Sequence, residues 1–126
     1  MAAPEVYLRG VKYGNWSNTE PRYRFTEQDG TYTLHVDRLE GEFKIASGDW
    51  STVDFGASST RRVTESGEYD MTWAGANFYC DGLDDVTLSF QYDGSRQSTL
   101  TVSTNSHNQD PAYGLSGTLP VMYINV

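Results

Sequence analysis

Two tryptophans stand on turn residues rather than inside alternating runs. Trp16 follows Gly14-Asn15, and Trp50 follows Gly48-Asp49. Just before Trp50, in "EFKIASGDWSTVDFG", Phe43 and Ile45 alternate with Glu42, Lys44 and Ala46, so a strand's pleat points Lys44 away from the core face. A ring on a turn can lid the end of a core, or it can offer a flat face to a ligand. Sugars suit such faces: one side of a pyranose is a patch of C–H groups that packs on an aromatic ring. Its hydroxyls take charged or amide partners at fixed positions. Each stacked ring contributes about 1 kcal/mol beyond area burial, by analogy with aromatic pairs. The third tryptophan, Trp73, alternates with Tyr69 and Met71 and reads as core.

Other chemistries find less support. His35 lies mid-strand on a polar face and His107 in a polar segment; neither has a nucleophile elbow or a cysteine partner, and both read as surface histidines. "CDGLDD" offers Asp81, Asp84 and Asp85 as hard oxygen donors, but without the Asp-x-Asp-x-Asp-Gly spacing of a calcium loop. It reads as an acidic turn before a strand at Val86. Glycoside hydrolysis needs two carboxylates facing across a cleft; with Asp+Glu 17, some proximity between acids is inevitable and carries no information. The glycines are scattered through turns rather than gathered into a phosphate cradle. No catalytic residue, metal or cofactor is expected.

The elements that must position these residues are short and alternating. "EVYLRG" puts Val6 and Leu8 on one face and Glu5, Tyr7 and Arg9 on the other. "DGTYTLHV" leaves an Asp29-Gly30 turn and aligns Tyr32, Leu34 and Val36; "EFKIA" follows a Glu40-Gly41 turn. "SGEYDMTW", "DDVTLSFQY" and "STLTVS" complete the set. Threonine, tyrosine and valine dominate, as strands prefer, and no helical period persists over three turns. The expectation is an all-β chain, an immunoglobulin-like antiparallel β-sandwich over residues 5–103. Residues 104–118 are polar with Gly and Pro and read as a loop. "LPVMYINV" then reads as the last strand of the sandwich or the first of a following domain.

The 126 residues fit one domain with a real core, and the single cysteine, Cys80, reads as a buried thiol. A net charge of −8 repels phosphate backbones and anionic lipid, so neither nucleic acid nor membrane insertion is expected. Tyr 9, Trp 3 and Phe 5 exceed a core's needs, which places rings at strand ends and on the surface. "MAAPEV" reads as the start of an expressed or processed fragment, with no signal peptide in it.

The order "VYLRG", "GNW", "DGTYTLHV", "GEFKIASGDWSTVDFG", "SGEYDM", "LTV" resembles starch-binding carbohydrate-binding modules. It looks most like the β-sandwich modules of SusE/SusF-type surface glycan-binding proteins of gut Bacteroidetes. The resemblance covers roughly residues 5–103 and is most specific from the "G-x-Y-T" hairpin through "D-F-G". It implies a non-catalytic module holding polysaccharide, starch or another α-glucan first. A plant β-glycan, a host glycan, or a structural or adhesion role without ligand stand as alternatives. Lys44 would reach sugar hydroxyls, Trp50 would be a stacking platform, and Asp54 would hydrogen-bond where the modules commonly carry Asn. Tyr32 takes the place of an aromatic that is often Trp, and Trp16 matches the "G-x-W" that can serve structure or ligand. By parity Tyr32 shares the core face with Leu34 and Val36, so it reaches a ligand only at the sheet margin. The resemblance further implies an extracellular or outer-membrane-surface location, a monomer, and one module of a larger multidomain protein.

Overall fold

The computed structural model describes residues 3–105, except 13, 15 and 18. The strands are β1 (Val6–Gly10), β2 (Thr26–Gln28), β3 (Thr31–Ser47), β4 (Asp54–Ala57), β5 (Gly67–Trp73), β6 (Phe78–Gln91) and β7 (Gln97–Thr104). One short 3-10 turn, Pro21–Tyr23, precedes β2. Among the described residues there is no α-helix, hence none long and apolar enough to cross a membrane. The described chain is all-β apart from that turn, in keeping with its alternation.

All described pairings are antiparallel apart from one isolated bridge, Arg62 with Tyr79. The order β3-β4-β5-β7-β6 returns to β3 through a long β3–β6 ladder, so five strands close into a barrel. β1 and β2 attach to β3 outside that ring. The hydrogen bonding therefore describes a closed ring with added strands, where the sequence suggested two facing sheets.

Two turns expected from the sequence are absent because longer strands run through them. "DGTYTLHV" and "EFKIA" are one strand: β3 passes Glu40-Gly41 with a register shift between Leu39 and Gly41. Gly41 has φ +97°, and a Cβ there would stand 3.0 Å from the Lys12 amide nitrogen. The Val11 and Lys12 amides donate to the carbonyls of Glu42 and Glu40, both at 2.8 Å. Glycine is needed for a bulge against which the chain leaving β1 packs closely. Similarly, "CDGLDD" is the interior of β6, not a turn before it. Its carboxylates point outward: Asp81 pairs with Arg62 (2.6 Å), Asp84 with Arg38 (2.7 Å) and Asp85 with His35 (2.6 Å).

The core fills the ring. Leu34, Val36, Leu39, Phe43 and Ile45 of β3 meet Phe78, Cys80, Leu83, Val86, Leu88 and Phe90 of β6, with Phe55, Met71, Leu100 and Val102 closing the rest. Phe43 and Phe78, paired across the seam, stack at 5.2 Å. Cys80 is a buried free thiol, and burial pushes its pKa up. Tyr32 and Tyr69 bury their rings and lead their hydroxyls to the rim: Tyr32 donates to the Pro4 carbonyl (3.0 Å) and Tyr69 to that of Glu65 (2.8 Å). The expected segment beyond Asn105, including His107, lies outside the described residues.

Candidate functional site: a tryptophan corner over an outer sheet face

On the outer side of β1 and β3, away from the core, register places Arg9 opposite Lys44 and Tyr7 opposite Ala46; across β4, Ala46 faces Asp54. Two cations directly opposite each other on one face repel. The structure gives each its own compensation. Lys44 turns to Asp54, Nζ to Oδ1 at 2.7 Å, with both side chains largely covered (12% and 18% exposed). Arg9 instead lies under indole: its guanidinium carbon stands 4.3 Å from the centre of the Trp50 ring, and the Lys44 ammonium is 5.9 Å from the same centre.

The loop after β3 holds Trp50 through its neighbours. Ser47 is buried; its amide donates to the Val53 carbonyl (2.8 Å), and its hydroxyl accepts from the Val53 amide (2.9 Å). Asp49 gathers the turn. It accepts from the Ser47 hydroxyl (2.6 Å), the amides of Ser51 (3.0 Å) and Thr52 (3.1 Å), and the Thr52 hydroxyl (2.9 Å). These donors, the Ser47 hydroxyl first, hold the Asp49 carboxyl well below the usual carboxylate range. Trp50 sits at φ +62°, an uncommon left-handed conformation for a tryptophan, with its amide bonded to the Ser47 carbonyl (3.1 Å). A loop this fully bonded fixes its tryptophan in place.

Trp16 arrives from the other side. Among the described residues it is the one exposed large hydrophobic side chain, at 41%. Its ring lies 6.3 Å from that of Trp50, inclined at 45°. Gly10 makes room beneath it: a Cβ on Gly10, at φ +92°, would stand 3.1 Å from the Trp16 ring and 2.5 Å from the Glu42 carbonyl oxygen. The two indoles form a corner, with the Lys44–Asp54 pair beside it. Such a corner offers inclined apolar faces together with charged groups that can donate to or accept from hydroxyls.

Of the five residues singled out from the sequence, four meet here: Trp16, Lys44, Trp50 and Asp54. Tyr32 does not. It is 1% exposed, stacked on Phe90 at 5.0 Å, and has no free ring face to offer a ligand. Its parity with Leu34 and Val36 settled the matter: it points into the barrel, with only its hydroxyl at the rim. Lys44 leaves the core face as its pleat demands, yet it is covered by its neighbours rather than solvated. Trp73 is half-buried, edge-on to Phe55 with the Arg96 guanidinium 4.7 Å from its ring centre. Arg9 carries no site signal by itself, because an arginine alternating with Val6 and Leu8 reads as a solvated face. The signal for it was cross-strand: two cations, Arg9 and Lys44, set opposite each other beside turn-borne tryptophans.

No protein-family model matches the chain, and no curated protein matches it. A solved structure does: the "Ligand induced structure of AmyP-SBD", with a TM-score of 0.58 and 20% identity, covering 82% of this chain and 74% of that one. The chain thus shares its fold with that starch-binding domain.

Proposed function

We propose that this chain is a non-catalytic carbohydrate-binding module that holds an α-glucan, starch or its oligosaccharides, at the Trp16–Trp50 corner. The observation that carries the reading is the 45° inclination of two neighbouring indoles, one of them well exposed. An α-linked glucan coils, so successive pyranoses present inclined faces, whereas a β-1,4 chain is flat and asks for coplanar rings. Lys44 and Asp54 lie beside the corner, and the shared fold with AmyP-SBD supports the same class. Asp54 is held by a lysine, which suits a hydrogen-bonding role better than acid catalysis. The proposal extends, on the sequence resemblance alone, to a monomeric module of a larger SusE/SusF-like protein at an outer or extracellular surface.

The test is tryptophan fluorescence titration with maltoheptaose, cellohexaose and xylohexaose, alongside retention on insoluble starch. Maltoheptaose is expected to shift the emission and the β-linked chains to leave it unchanged. Trp16→Ala and Trp50→Ala should each weaken maltoheptaose binding about fivefold to tenfold, the worth of one stacked ring. A flat response to all three sugars, with Trp50→Ala behaving as wild type on starch, would refute the reading.

A further inference from the structure

Arg9 is 2% exposed, and among the described residues neither its hydrogen bonds nor its ring contact involves a carboxylate. Taking a guanidinium out of water without a counter-charge is costly, and burial pushes its pKa down from the ordinary arginine value. One of its nitrogens, Nε, is buried and finds no hydrogen-bond partner among the described residues. An apolar residue at this place in β1 would serve the sheet as well, at lower cost. What the guanidinium does with its other two nitrogens is therefore informative.

One terminal nitrogen donates to the Ser47 carbonyl at 2.7 Å, and the other to the Trp16 carbonyl at 2.8 Å. The Ser47 carbonyl also accepts from the Trp50 amide. The guanidinium carbon lies over the Trp50 ring, 4.3 Å from its centre. A single planar group thus ties the backbone that carries Trp16, the backbone that carries Trp50, and the Trp50 ring itself. Two donors in a rigid fork, with the cation held over the Trp50 ring, define a relative orientation; a lysine, with a point charge on a flexible stem, could not.

We infer that Arg9 is a positioning residue that sets the angle between Trp16 and Trp50, and through that angle determines which glycan geometry the corner accepts. Its contact is with the two tryptophan-bearing segments, not with sugar, since it is covered by them. The inference about the angle stands on the geometry alone; its consequence for glycan choice rests on the reading of the corner as an α-glucan site. Holding the rings at a fixed inclination before binding removes the ordering cost that free loops would incur.

The experiment compares wild type with Arg9→Met and Arg9→Lys. Two indoles in contact couple their transitions and give a paired band in the far-ultraviolet circular dichroism spectrum. Trp16→Phe and Trp50→Phe identify that band by abolishing it. Without ligand, Arg9→Met is expected to melt as one folded species but to lose at least about half of the band. Its affinity for maltoheptaose should fall about tenfold, with its preference for maltoheptaose over cellohexaose reduced. Arg9→Lys, which keeps the buried charge, is expected to lose the band as well; if Arg9→Met does not fold, this variant decides. A band of wild-type size in either folded variant overturns the inference. Should the band fall while wild type ignores maltoheptaose, the α-glucan reading fails and the orienting role of Arg9 stands.

Discussion

At the residue scale, the outer face depends on how two cations placed opposite each other are compensated. Lys44 is matched by Asp54 in a covered ion pair, and Arg9 by indole and two carbonyls. Removing one partner of such a pair leaves an uncompensated charge, whereas removing both leaves a packable apolar patch. Asp54→Leu alone is therefore expected to cost about 2–3 kcal/mol, somewhat less than for a fully buried pair. The double variant Lys44→Met with Asp54→Leu should regain most of that loss in urea unfolding, yet remain as weak as the single variant in starch retention. Recovery of both would mean that the pair serves only the fold. The sequence revealed much of this residue set. Trp16, Trp50 and Lys44 stood out because turn chemistry and pleat parity are local rules. Arg9 escaped notice because its partners come from Ser47 and Trp16, contacts made only when β1 lies against the far end of β3.

At the element scale, the loop from Ser47 to Val53 is organised by one carboxylate. Asp49 accepts four hydrogen bonds, and they lower its pKa in the folded state. A carboxyl whose folded pKa is depressed adds stability that is complete above its unfolded value, about 3.9, and is lost as pH falls through the folded one. The stability advantage of wild type over Asp49→Asn should accordingly be constant from neutral pH down to about pH 5 and shrink below about pH 4. Paired thermal melts across that range check it; an advantage independent of pH would show that Asp49 acts by shape alone. Alternation located β1, β5 and β7 within a residue or two, but it did not mark the short β2 and β4 as strands. It failed at Glu40-Gly41 and at "CDGLDD", where a glycine-bearing segment looks the same in sequence whether it turns the chain or bulges within a strand. The deciding fact is the partner: β3 and β6 pair on both sides of their irregularities, and no local pattern records a ladder between segments so far apart.

At the scale of the whole molecule, ring closure is the organising event. β3 and β6 are joined along most of their length, with Phe43 and Phe78 stacked and fully buried at one end of the seam. Pairing of this kind is non-local, so folding from denaturant should take about milliseconds to seconds, as in other barrels and sandwiches. Phe78→Leu is expected to lower stability by about 1–2 kcal/mol, with much of the loss appearing as slower folding in stopped-flow fluorescence. If the loss appeared wholly in the unfolding rate, the seam would form after the rate-limiting step. The all-β class was legible because composition and period-2 alternation pervade the chain; closure was not, since a sandwich and a barrel share both.

Closure also bears on crowding. Were the proposed binding to insoluble glucan to gather many copies on one surface, open strand edges would zip neighbouring molecules together. Each of the five ring strands has a partner on either side. Of the two strands outside the ring, β2 spans only three residues. The free side of β1 is covered where Tyr7 bridges Arg24 and the Phe25 amide bonds the Val6 carbonyl at 2.9 Å. On the proposed reading, this closure would keep copies held side by side on a glucan surface from pairing edge to edge.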